Sequence, residues 1–339
     1  MKLLKQLFCI HSKSGKEGKM KRFIWNWVKQ NVKDCRIEED KTGNLYITKT
    51  KKNRKDGDLT YPCIVAHLDQ VQEKHSKDFM CYESEEIIIG YSPKRREQQG
   101  LGADDKCGIW IALNCLKEYD NLKVAFFVGE EIGCKGSSKA KMEFFSDCRF
   151  VIEPDRRGHG DLITSISWSS LCSDEFLNDI GFKDFGYKET DGLMTDIEAL
   201  KENKLAISCI NLSCGYYNPH TDHEFVVKAD LLNCLAFVKH IIENCIKVYP
   251  HVDEDDIYSR YHYYGYGGYG DYYYDLYDEL YDVISVHPEL SFGDIEAAYK
   301  DSYPGINRSE LEAAYDQARE DVIFWREEEK KSASKKMYH

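Results

Sequence analysis

Val124-Ala-Phe-Phe-Val128 runs directly into Gly129-Glu-Glu131. Five apolar residues in unbroken succession leave no polar face, so the run predicts a strand buried on both sides, as in the middle of a parallel sheet. In such sheets, sites form beyond the carboxyl ends of the strands, where this run places two carboxylates. The combination recurs along the chain. Thr60–Ala66 leads into His67-Leu-Asp69, Phe150–Ile152 into Glu153-Pro-Asp155, and Ala206–Leu212 precedes Asn218-Pro-His220. His67, Glu130, Asp155 and His220 are thus each expected shortly after a strand.

The segments between these strands read as helices. A helix is expected from Asp104 through Leu116, with Ile109, Ala112, Leu113 and Leu116 on one face. Lys19–Val32 and Asp230–Cys245 carry the same periodicity, and Met1–Ile10 reads as an amphipathic first helix rather than a signal peptide. Leu45–Thr48 and Ile87–Ile89 are further short strands. Strands alternating with helices predict an α/β fold, a mostly parallel sheet covered on both faces.

Composition bounds the rest. No apolar run reaches the roughly 18 residues of a membrane span, so no membrane role is expected. The 13 Cys show no C-x-x-C pair or regular spacing, which points to a reducing, cytoplasmic setting. Of the net charge of −13, almost all lies in the tail: after residue 250 there are 21 acids against 9 bases, and before it 38 against 37. That balance argues against nucleic acid as a partner. Tyr258–Tyr281 holds 11 of the 24 Tyr, mixed with Gly and Asp, and is expected to be a low-complexity linker. The expected domains are therefore 1–250, a linker at 251–288, and a small helical tail at 289–339 with helices at Ser291–Lys300 and Ser309–Glu328. Self-association or a partner protein is expected through 251–339.

Each motif alone has an ordinary reading. Asp104-Asp105 after a glycine suits a helix N-terminus, and Glu130-Glu131 a solvated turn. Asp155 pairs naturally with Arg156 or Arg157. Together they assemble imidazoles and carboxylates, the donor set of zinc and related divalent ions, with a spare glutamate as general base.

The order H-x-D, G-A-D-D, E-E-x-G, D, H resembles the di-zinc peptidase clan that includes the M20, M28 and M42 families. Leu101-Gly-Ala-Asp-Asp-Lys-Cys-Gly-Ile109 and Phe127-Val-Gly-Glu-Glu-Ile-Gly133 are similar to the versions in peptidase T-like M20 enzymes. Ser14-Gly15 with Glu17, and Asp40-Lys-Thr-Gly-Asn-Leu-Tyr46, resemble the clan's N-terminal pattern. The resemblance covers residues 1 to about 245. It implies a single three-layer α/β/α zinc-exopeptidase-like domain. It also implies two divalent metal ions, zinc with cobalt or manganese as alternatives. Asp104 would bridge them, His67 and Asp155 complete one set, and Glu131 and His220 the other. Glu130 would be the general base and Asp69 would orient His67. The Asp104–Asp105 peptide would be cis.

Two features depart from the M20 pattern. Only 64 residues separate Asp155 from His220, too few for an inserted lid or dimerisation domain beside the elements the core needs. Arg156 and Arg157 are then the nearest candidates for holding a substrate carboxylate, unless they only neutralise nearby acids. Asn218-Pro-His-Thr-Asp-His-Glu224 offers two histidines: an H-x-x-x-E register selects His220, and an S/T-D-H register His223. Lys106 marks the first register. If His223 is not a ligand, it is a candidate for touching substrate. Tyr216 and Tyr217 either line the pocket or pack. The expected activity is aminopeptidase cleavage of short peptides. The alternatives are a deacylase of N-acyl amino acids, or a pseudo-enzyme that binds a partner through its tail.

Overall fold

Two helices, α1 (Lys2–Phe8) and α2 (Gly18–Asn31), precede two antiparallel strands, β1 (Cys35–Glu39) and β2 (Leu45–Lys49). After β3 (Tyr61–His67) come β4 (Met80–Glu83), β5 (Ile87–Ser92) and the short β6 (Glu97–Gln98). Next are α3 (Ala103–Glu118), β7 (Leu122–Phe127) and β8 (Cys148–Arg156). The chain continues through β9 (Asp161–Ile166), β10 (Ser169–Ser170), α4 (Asp174–Ile180), β11 (Lys188–Gly192) and α5 (Asp196–Glu202). It then forms β12 (Cys209–Ser213), β13 (Tyr216–Tyr217), β14 (Phe225–Val227) and α6 (Lys228–Asn244). This computed structural model describes residues 1–51, 59–166, 169–252 and 288–299, together with some positions between 280 and 323.

The centre of the nine-stranded sheet is parallel, in the order β7-β3-β8-β12. Its flanks are mixed: β2 runs antiparallel to β7, and β9 antiparallel to β12. Alternation along the strands divides the core in two, because successive side chains point to opposite faces. Ile64 and Ala66 of β3 join Val124 and Phe126 of β7 beneath α1, α2, α3 and α6. Cys63 and Val65 join Ala125 and Phe127 against Ile197 and Leu200 of α5. These are the three layers that unbroken apolar strands predict. The stretch between Asp155 and His220 is spent on β9 to β12, α4 and α5, all within this layered architecture, and inserts no separate domain among the described residues.

Two details differ from the sequence expectation. Ile87–Ile89 belongs to a second sheet, β13-β14-β5-β4 with β6 on β5, whose pairing joins residues more than 100 apart in sequence. Asp155 stands inside β8 rather than after it. The strand runs on to Arg156 because Ser213 of β12 continues the pairing, and because Asn211 bonds the Asp155 backbone on both sides.

Contacts divide the chain into two compact units, Met1–Ile257 and Tyr258–His339. In the second, helix α7 (Phe292–Tyr299) contributes Ile295 to a small apolar cluster with Leu280, Leu311, Tyr315 and Val322. The expected tyrosine-rich linker lies almost wholly outside the described residues, as does Ser309. No helix among the described residues is long and apolar enough to cross a membrane.

Candidate metal centre

The carboxyl ends of the parallel strands converge on one place. His67 is the last residue of β3, Glu130 and Glu131 follow β7, Asp155 is the last but one of β8, and the loop after β13 returns with His220. Asp104 arrives from the start of α3. Its residue and the next do not have helical angles, and the peptide between Asp104 and Asp105 is cis, as the resemblance implies.

Asp104 lies between the two imidazoles. Its Oδ1 is 2.9 Å from His67 Nε2, and its Oδ2 is 3.3 Å from His220 Nε2. On the first side, Asp155 Oδ2 is 3.6 Å and Glu130 Oε2 3.9 Å from His67 Nε2. On the other, Glu131 Oε2 is 3.0 Å from His220 Nε2. The side chains of His67, Asp104, Glu130, Glu131 and Asp155 are at most 13% exposed, whereas that of His220 is 53% exposed and stands at the mouth. His223 is exposed and takes no part: its backbone N–H donates to Thr221 Oγ1 at 3.1 Å.

The surrounding contacts hold these groups in place. Asp69 Oδ1 is 3.4 Å from His67 Nδ1, an ion-pair distance rather than a hydrogen bond. The same carboxylate accepts from the Glu130 N–H at 3.0 Å and from Ser14 Oγ at 2.7 Å, so it joins the ends of β3 and β7 to the N-terminal segment. Asp105 accepts from the backbone N–H of His67 at 3.2 Å and of Gly108 at 2.9 Å. Glu224 accepts from the N–H groups of Ala103 and Asp104, fixing the backbone that presents Asp104. Of these, Glu224 had a sequence signal in the H-x-x-x-E register. The contacts of Asp105 with His67, Asn211 with Asp155 and Ser14 with Asp69 had none, because the partners lie 38 to 56 residues apart.

The glycine of Asp-Lys-Cys-Gly108 is explained by close approach. A Cβ there would stand 2.4 Å from Asp105 Oδ1 and 2.7 Å from the carbonyl oxygen of Pro154. Gly108→Ala is expected to destabilise the fold by about 1–3 kcal/mol, the usual cost of overpacking, measured as a lower denaturation midpoint.

The donor set fits a pair of divalent cations. Ligand atoms of His67, Asp104 and Asp155 lie within 4.8 Å of one another, as do those of Asp104, Glu131 and His220. Glu131 Oε1 is buried with no hydrogen-bond partner. The electrostatics ask for positive charge. Burial and neighbouring carboxylates push the carboxyls of Glu130, Glu131 and Asp155 above their ordinary values. Burial opposes a charge on His67, but Asp155, Asp104 and Asp69 outweigh it and raise its pKa well above the usual imidazole value. Hydrogen bonds to Asp104 and Glu131 carry His220 to about 11. Nitrogen and carboxylate donors without a thiolate suit zinc, cobalt or manganese.

Arg156 Nε pairs with Asp161 at 3.5 Å, the neutralising role, and Arg157 is exposed. Tyr216, left without a role by the sequence, is buried and donates its hydroxyl to Asp155 Oδ1 at 3.3 Å.

Among solved structures, the fold is similar to aminopeptidase PepT from Bacillus cereus, at 14% identity and a TM-score of 0.58, over 73% of this chain and 98% of that one. It is similar to a tripeptidase from Staphylococcus aureus subsp. aureus Mu50, at 14% identity and 0.57, over 72% and 96%. It is also similar to an aminopeptidase from the archaeon Desulfurococcus kamchatkensis, at 16% identity and 0.55, over 71% and 94%. At these identities the likeness is one of fold. No protein-family model and no curated protein matches the chain.

Proposed function

We propose that this chain is a dinuclear metallopeptidase that removes N-terminal residues from short peptides. Asp104 would serve both ions, with His67 and Asp155 completing one set of donors and Glu131 and His220 the other. The observation that carries the reading is Asp104, whose two oxygens face two imidazoles, each beside a further carboxylate. The fold it shares with proteins described as aminopeptidases and a tripeptidase supports a peptide substrate.

The ions supply Lewis acidity toward a scissile carbonyl and toward a water molecule. The chain's own residues do the rest. Glu130 holds no imidazole as closely as its neighbours do, and its carboxylate is the one free to accept a proton from the attacking water and hand it to the leaving amine. Asp69 fixes the Glu130 backbone while lying against His67, so base and ligand keep their relation. Arg157, exposed just beyond Asp155, is the cation offered to a substrate carboxylate. Zinc is the ion proposed.

Stripping the protein with chelator, restoring zinc and counting metal by elemental analysis should give about two ions per chain. The reloaded protein should cleave unblocked di- and tripeptides in preference to N-acyl amino acids. Binding of no metal overturns the reading, and cleavage of N-acyl substrates alone replaces it with the deacylase.

His220→Ala should weaken zinc binding, whereas His223→Ala should leave it unchanged, because only His220 faces Asp104 and Glu131. Titration of both variants checks this. Loss confined to His223→Ala would reassign the last ligand.

A further inference from the structure

We infer that Tyr216 is a positioning residue for this centre: its phenol holds one oxygen of Asp155 so that the other is presented to the His67 side. The inference rests on the dinuclear reading above. A carboxylate has two equivalent oxygens and turns freely unless something distinguishes them. Here Asp155 Oδ1 accepts from the Tyr216 hydroxyl at 3.3 Å, and Oδ2 lies 3.6 Å from His67 Nε2. The backbone of Asp155 is already pinned. Its N–H donates to Asn211 Oδ1 at 3.1 Å, and its carbonyl accepts from Asn211 Nδ2 at 3.2 Å. The side-chain rotation is what remains, and Tyr216 sets it.

Tyr216 is itself well held. It is 3% exposed, pairs with Val226 across β13 and β14, and its carbonyl accepts from the Gly158 N–H at 2.7 Å. Asp155 Oδ1 is the sole hydrogen-bond partner of its hydroxyl among the described residues. Tyr216 is also four positions before His220. One side chain therefore links the carboxylate of the first donor set to the loop that carries the second. Contacts of this kind to metal ligands are commonly worth 10- to 100-fold in metal affinity.

Tyr216→Phe keeps the ring and removes only the hydroxyl. Zinc titration against a competing chromophoric chelator reads the two affinities separately, and melting in excess chelator reports the fold without metal. The expected result is one ion bound about 10- to 100-fold more weakly, the other unchanged, and an unaltered melting point of the stripped protein. In an Asp155→Ala background, adding Tyr216→Phe should change nothing, because the partner is already gone. Equal affinity for both ions in Tyr216→Phe overturns the inference. So does equal weakening of both, an effect that persists beside Asp155→Ala, or failure of the stripped variant to fold, each of which assigns the hydroxyl to general packing. A native chain that binds no zinc overturns the dinuclear reading, and the inference falls with it.

Discussion

Glu130→Gln should bind metal like the native chain and lose nearly all turnover. The amide matches the carboxylate in size but cannot accept the proton of the attacking water. General-base contributions of about 10²–10⁴-fold set the size of the fall. The substitution is mild for the centre, because Glu130 Oε2 is 3.9 Å from His67 Nε2, the longest of the approaches to either imidazole. Its backbone N–H, which anchors on Asp69, is untouched. Steady-state kinetics with a tripeptide, together with metal analysis of the same sample, separate the two effects. If Glu130→Gln loses metal while Glu131→Gln keeps it, the two glutamates have exchanged roles.

Asp104→Ala should do the reverse and abolish metal binding on both sides at once. No other residue among the described ones touches both imidazoles, at 2.9 Å and 3.3 Å through separate oxygens. The set with His67 and Asp155 and the set with Glu131 and His220 both include it, so both lose a carboxylate. The loss at both positions should exceed the roughly 10- to 100-fold typical of contacts that only support a ligand. Activity should fall to background. Isothermal titration with zinc measures it. Retention of one ion at native affinity would show that the two sets are independent and that Asp104 belongs to one of them.

The placement of the candidate residues was readable from sequence because it follows from local rules. A buried parallel strand must be apolar along its whole length, and its carboxyl end faces the site, so Val124–Val128 announced Glu130 and Glu131, and Thr60–Ala66 announced His67. The periodicity of Ile109, Ala112, Leu113 and Leu116 placed α3 and thereby Asp104 at its start. The two histidines of the last loop were distinguishable only by register, since both lie within a few residues of Pro219. Which of them meets Asp104 depends on the path of the loop, where Asn218 and His220 have positive φ.

By itself, then, the sequence determined the layered α/β architecture, the parallel centre of the sheet, and which strand ends carry the candidate residues. Those features depend on patterns that repeat within a dozen residues. Only the tertiary structure decided the antiparallel flanks, the second sheet, the continuation of β8 through Asp155, and the grips of Ser14 on Asp69 and Asn211 on Asp155. Each is a hydrogen bond or strand pairing between distant segments. Such contacts are satisfied only after the core has brought the segments together, and a polar residue shows no local sign of the partner it will find there.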